Sequence, residues 1–141
     1  MGTDIKHAVL IIAHGSRRHE ANDELLWVVE QFRLIAPSRF IQNCYLELAH
    51  PTIPEGAVNC VTSGADRISL LPYFLSPGRH VQKDLRLHQK KLSHQYPQIQ
   101  WTLCEPLGKH PLIIEILKQR LSGTEKSCLD AEATRTKSMA P

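Results

Sequence analysis

Residues 7–13, HAVLIIA, run directly into His14-Gly15-Ser16-Arg17, and this stretch decides the fold. From Ala8 to Ala13 every side chain is apolar and many are β-branched, the composition of a strand buried on both faces. Past His19 the spacing changes: Leu25, Val28, Val29, Phe32 and Ala36 recur along one side of a helix, which Pro37 ends at Ala36 or just before. A buried strand, a polar turn and an amphipathic helix make the first half of a parallel crossover unit.

Working outward, the same alternation recurs. Residues 39–46 (RFIQNCYL) suit a second strand, and Thr52-Ile53-Pro54-Glu55 reads as a capping box opening a helix that reaches about Ser63, with Gly64 in the left-handed position that closes helices. Residues 67–74 (RISLLPYF) give a third strand, with Pro72 near its end where a missing ladder bond matters least. After Ser76-Pro77-Gly78, the residues Val81, Leu85, His88 and Leu92 mark a helix stopping near Tyr96-Pro97. Residues 99–104 (IQWTLC) form a fourth strand, and Ile113, Ile116, Leu117 and Leu121 a fourth helix after Pro111. No internal repeat is evident. The pattern predicts a single α/β domain over residues 1–122, a doubly wound four-stranded parallel sheet flanked by helices on both faces. Periodicity stops at Ser122, so residues 123–141 are expected to be a disordered tail.

Composition narrows the function. A chain of 141 residues, 42% hydrophobic and 22% charged, fits one globular domain. The net charge of +3 is mild and the basic residues are scattered, so nucleic acid is not expected as a partner. Cys44, Cys60, Cys104 and Cys128 contain no C-x-x-C pair, which argues against structural zinc or a disulfide framework and for a reducing cytoplasm. The opening apolar run is too short for a signal sequence and no run is long enough to span a membrane, so neither export nor membrane insertion is expected.

Parallel α/β sheets bind ligands outside the carboxyl ends of their strands. Three polar groups fall there: His14-Gly15-Ser16-Arg17, Glu47, and Gly78-Arg79-His80. Two imidazoles, with an optional carboxylate, can hold a first-row metal ion while leaving coordination positions open. An ion held this way can be handed on. Inserting it into a porphyrin-like ring displaces two pyrrole protons, and an imidazole accepts protons near neutral pH, so His14 is the first choice of base. The glycine near each histidine suggests a bent backbone and close approach of a bulky ligand.

Three motifs, AHGSR at 13–17, LELAHPTIPE at 46–55 and LLPYFLSPGRHVQKDL at 70–85, resemble in their order the short-form sirohydrochlorin chelatases, the CbiX type, with SirB-type ferrochelatases beside them. The likeness spans residues 7 to about 121. It implies a chelatase-like fold and a lyase that inserts cobalt or iron into sirohydrochlorin, a carboxylate-rich tetrapyrrole of cobalamin or siroheme biosynthesis, with the metal as substrate and no organic cofactor. By the same likeness His14 is proton acceptor and metal ligand, and His80 the second ligand. Leu75, Ser76, Pro77, Gly78, Arg79 and His80 line the macrocycle site, Glu47 stands beside it, and a short chain supplying half of a larger chelatase plan forms a homodimer. One position departs from the pattern: His50 stands where the family stretch carries an acidic residue.

Plainer readings exist for each residue. His14-Gly15-Ser16 could be a tight turn with a capping serine, His80 could bond locally at a helix start, and Glu47 could cap the next helix or pair with a nearby base. His50 and His110 precede prolines at helix starts, where a structural role is expected. His7, His19, His88 and His94 read as surface or packing residues. Arg17, Arg18, Arg79 and Lys83 flank the proposed ligands, and their default role is a solvated face, though guanidinium groups suit carboxylates. Two other functions compete: a carrier that holds metal or tetrapyrrole without turnover, and phosphoryl chemistry on a histidine. The second needs an arginine before the histidine, where this chain has Ala13, and no phosphate-binding glycine motif is present.

Overall fold

The computed structural model describes residues 4 and 6–139. The elements in chain order are β1 (His7–Ala13), α1 (His19–Ile35), β2 (Phe40–Tyr45), α2 (Ile53–Thr62), β3 (Arg67–Pro72), α3 (Arg79–Gln95), β4 (Gln100–Leu103) and α4 (Pro111–Ser138). The four strands form one parallel sheet in the order β2-β1-β3-β4. This is the expected four-stranded doubly wound sheet, and the strand ends fall within two residues of the pattern.

The alternation of β1 explains its central place. Ala8, Leu10 and Ile12 point into one cluster, Val9 and Ile11 into the other, and all five are at most 3% exposed. The chain runs from β1 outward to β2, then reverses across β1 to β3 and β4. Right-handed crossovers therefore place α1 on one face and both α2 and α3 on the other. The packing agrees: Leu25 and Val29 of α1 cover Val9, Ile11, Ile41 and Tyr45, while Ile53, Ala57, Cys60, Leu85 and Leu92 cover the opposite face.

Local chemistry sets the helix ends. Thr52 caps α2 by accepting the Glu55 amide at 3.4 Å, and its hydroxyl donates to the Glu55 carboxylate at 3.0 Å. Gly64 lies at φ +85° after α2, where its amide reaches Val61. The amides of Ala36 and Tyr96 close α1 and α3 before Pro37 and Pro97. Gly56 lets α2 lie close on the sheet, since a Cβ there would meet the Leu10 side chain at 2.8 Å and Cys44 Cβ at 2.9 Å.

Two compact units are distinguished, Met1–Leu107 and Gly108–Pro141. The second unit is built on α4, which continues through residues 123–138 that composition marked as a disordered tail. That segment is rich in strong helix formers such as Ala, Glu, Lys, Leu and Arg. Its serine and threonine hydroxyls bond back to carbonyls four residues earlier, as from Ser127 to Gly123 at 3.0 Å and Thr136 to Glu132 at 2.9 Å. A polar helix lacks the apolar period by which helices are recognised, so the sequence pattern misses it. The last two residues of the expected tail lie outside the described ones.

All four cysteines are free. Cys44 and Cys60 are fully buried, and burial pushes the Cys60 thiol up to about 12 and the Cys44 thiol well above its ordinary value. Reaction needs the thiolate, so both should resist a thiol reagent at pH 8 in the folded protein while exposed Cys128 reacts. Labelling followed by peptide mass spectrometry, before and after unfolding in urea, checks this. Early modification of Cys44 or Cys60 would contradict the packing of α2.

Candidate functional site

The reversal of chain direction beside β1 creates a switch point between β1 and β3, where the connections leaving the two strands part to opposite faces of the sheet. Main-chain hydrogen bonds extend the sheet pairing past the strand ends there. Tyr73 donates to Ile12 at 2.7 Å, Leu46 to Ala13 at 2.9 Å and Glu47 to His14 at 3.0 Å. The three loops are thus fixed to one another before any side chain acts.

His14 leaves β1 directly into this edge and is exposed. Its Nδ1 lies 3.5 Å from Glu47 Oε1, with both side chains a little over half exposed. A pair so open to water adds at most about 1 kcal/mol to stability. What the pair fixes is position: the carboxylate stands where it can orient the imidazole. The Phe74 ring, leaving β3, stands with its centre 6.2 Å from that of His14 at 60° and bounds the other side.

Gly15 makes this junction possible. It lies at φ +95°, and a Cβ built there would fall 1.8 Å from the Glu47 carbonyl oxygen. Only glycine fits. The second glycine behaves differently: Gly78 has φ −68° and open space around its Cβ position, so the bend near His80 does not require glycine.

His80 sits exposed in the first turn of α3, just after Arg79, which is exposed too. Leu75, Ser76 and Gly78 are exposed and Pro77 half-buried, forming the open loop between β3 and α3. The Gln82 side chain donates to the Pro77 carbonyl at 3.2 Å and steadies that loop. His14 and Glu47 are brought together directly. His80 shares the edge through the β3 loop, and among the described residues no group of three or more His, Cys, Asp or Glu forms a metal-holding cluster.

The other candidates separate clearly. Glu47 does not cap α2, a role Thr52 fills; it pairs instead with a base, His14. His50 turns away to Glu55, with Nδ1 at 2.9 Å from Oε1, and this bond together with that from Thr52 lowers the Glu55 carboxyl pKa. His110 caps α4 by accepting the Leu112 amide at 3.2 Å. His7 bonds Ser69 at 2.7 Å at the opposite, amino end of the strands, where burial followed by the charges of Arg39 and Arg67 lowers its pKa. Burial likewise lowers His88. Arg17, Arg18 and Lys83 are exposed.

Several contributors carry no signal in the sequence pattern. Phe74 reads as the last apolar residue of a strand, and Asn22 as a polar position on a helix. Leu48, exposed and at φ +63°, holds a left-handed backbone immediately after Glu47, an uncommon conformation for a leucine. With Ser16, Arg17, Asn22, Tyr45 and His50 it helps line a cleft of about 430 Å³ on the α1 side of this edge.

Fold and edge together define an α/β protein with a solvent-facing imidazole and carboxylate at the carboxyl ends of β1 and β2, beside the topological switch point. The CbiX family profile matches residues 8–124, and the chain belongs to that family. It is similar to the sirohydrochlorin ferrochelatase of Priestia megaterium, 34% identical over 121 residues, covering 86% of this chain and 46% of that protein. It is also similar to the sirohydrochlorin cobaltochelatase of Saccharolobus solfataricus, 30% identical over 122 residues, covering 82% and 94% respectively. The sirohydrochlorin chelatase SirB from Bacillus subtilis subspecies spizizenii, solved in complex with cobalt, superposes with a TM-score of 0.78 at 27% identity, covering 84% of this chain and 51% of that one. The chain thus spans about half the length of some curated relatives and nearly all of others.

Two outcomes test this geometry. Gly15→Ala drives a methyl group into the Glu47 carbonyl, so the variant should lose about 1–3 kcal/mol of stability in urea titrations and separate His14 from Glu47. His50→Ala removes the largest cause of the lowered Glu55 pKa, so that carboxyl should titrate at higher pH by carbon NMR, short of the ordinary value because Thr52 still donates. The sign is fixed: a carboxyl lowered on folding adds stability above its unfolded pKa and loses it as pH falls through the folded one.

Proposed function

We propose that this protein is a sirohydrochlorin chelatase, inserting a divalent cobalt or iron ion into that acidic tetrapyrrole, with the metal as substrate and no organic cofactor. The observation that carries the reading is the exposed His14 and Glu47 pair at the carboxyl edge of the sheet, 3.5 Å apart beside Phe74. Names among the relatives support the same chemistry on both metals.

An Nδ1–H directed at Glu47 leaves Nε2 of His14 with its lone pair outward, able to take a metal ion or a pyrrole proton. His80, across the edge on α3, supplies the second imidazole. Two neutral nitrogens leave the ion incompletely coordinated, so the ring nitrogens can displace them. Glu47 stabilises the imidazolium formed when His14 accepts one of the two displaced pyrrole protons, and the other passes to water at this open edge. Leu75 to Arg79 face the macrocycle, and Arg79 is placed to meet one of its carboxylates. Holding ring, ion and base together replaces a collision of three partners by one bound geometry.

The active form in this reading is a homodimer. It is supported by the half-length match to the longer relatives and by Leu117 and Leu121 of α4, each at least 60% exposed. A cytoplasmic setting belongs to the same reading, supported by four free cysteines. Among the described residues no helix is long and apolar enough to cross a membrane.

With purified protein, sirohydrochlorin and Co2+, the absorbance change on metallation should pass one equivalent per chain; a stop at one equivalent would identify a carrier instead. His14→Ala should lower the rate at least about 100-fold while the circular dichroism spectrum is kept. His80→Ala should weaken Co2+ binding more than binding of the metal-free ring in calorimetric titrations. Wild-type rates in the first variant, or equal losses in the second, would overturn the respective assignment.

A further inference from the structure

We infer that Asn22 is the positioning residue of His14, the side chain that fixes where the imidazole stands relative to Glu47. The inference rests on the role proposed for His14 above.

The His14-Gly15-Ser16 turn is held from two directions. On one side the Glu47 amide donates to the His14 carbonyl at 3.0 Å. On the other, the Asn22 amide grips the Ser16 main chain twice, its Oδ1 accepting from the Ser16 N–H at 3.0 Å and its Nδ2 donating to the Ser16 carbonyl at 2.8 Å. Reversing the amide would set donor against donor and acceptor against acceptor, so the network fixes its orientation. Asn22 is itself anchored, because the hydroxyl of Tyr45, 3% exposed at the end of β2, donates to the Asn22 carbonyl at 3.0 Å.

Among the described residues no other side chain holds the Ser16 main chain in this way. Arg18, at the N-cap of α1, makes no side-chain cap, and the Ser16 hydroxyl only accepts the Arg18 amide at 3.1 Å within the same turn. Between the two fixed points lies Gly15, the residue with the widest choice of φ. Release of Ser16 therefore turns Gly15 into a hinge, and His14 drifts from Glu47 although no group that touches substrate has been removed. A displacement of about 1 Å is enough to slow a reaction by one to two orders of magnitude.

The experiment compares wild type with Asn22→Ala and Asn22→Asp. Metallation of sirohydrochlorin by Co2+ should show kcat lowered about tenfold or more in Asn22→Ala, with KM for the ring changed less than about twofold. Asn22→Asp keeps the acceptor and loses the donor, and its kcat should fall between. In the metal-free protein, the His14 ring C–H signals should shift or broaden in both variants while those of His7, at the far end of β1, stay in place. Wild-type kcat and unmoved His14 signals in Asn22→Ala would overturn the inference, as would a lowered Tm with kcat unchanged well below it, or full kcat in Asn22→Asp. If wild type itself does not metallate the ring, the proposed function falls, and the His14 signals still decide the role of Asn22.

Discussion

The site depends on one close approach: the backbone of Gly15 against the carbonyl of Glu47. The two segments touch because the hydrogen bonding between β1 and β2 does not stop with the strands but continues through Leu46 to Ala13 and Glu47 to His14. That extension sets a histidine from one loop beside a glutamate from another. It also demands a residue without a side chain at position 15, in a left-handed conformation. The rest of the sheet supplies the rigidity that makes such an approach reproducible, since Tyr45 and Ile12, at the ends of the two strands, are both buried.

The electrostatics follow from leaving this junction in water. A buried imidazole and carboxylate would lock into a stable ion pair or have their charges suppressed by desolvation. Here both side chains are a little over half exposed, so the imidazole faces solvent. The contrast with His50 is instructive. It also meets a glutamate, yet that partner is the first-turn residue of α2, already bonded to Thr52, so the pair serves the helix start. Two histidine–carboxylate contacts thus lie a few residues apart, and only the one at the strand ends opens toward the switch point.

Family resemblance and geometry meet at this edge from independent directions. The motif AHGSR is specific only in the company of the later motifs, whereas the pairing of His14 with Glu47 needs no motif to be seen. Apolar residues of α4, among them Leu117 and Leu121, remain exposed.

Much of the fold was legible in the sequence because it rests on short-range rules. The unbroken apolar run of β1, the 3.6-residue spacing of α1 and α3, the Thr52 cap and the prolines after α1 and α3 each act within a few residues. Strand alternation with helices then leaves parallel pairing as the natural outcome. Residues 123–138 escaped the same rules because their helix carries no apolar period. His14, Glu47 and His80 could be named from the sequence as polar groups at strand ends, but not placed. That His14 would lean on Glu47, that Phe74 would stand beside it, that His50 would turn to Glu55 and that Asn22 would clasp Ser16 were decided by the tertiary structure alone. These contacts join residues brought together by sheet register and helix docking, and their energies depend on distances of a few ångströms that no local pattern encodes.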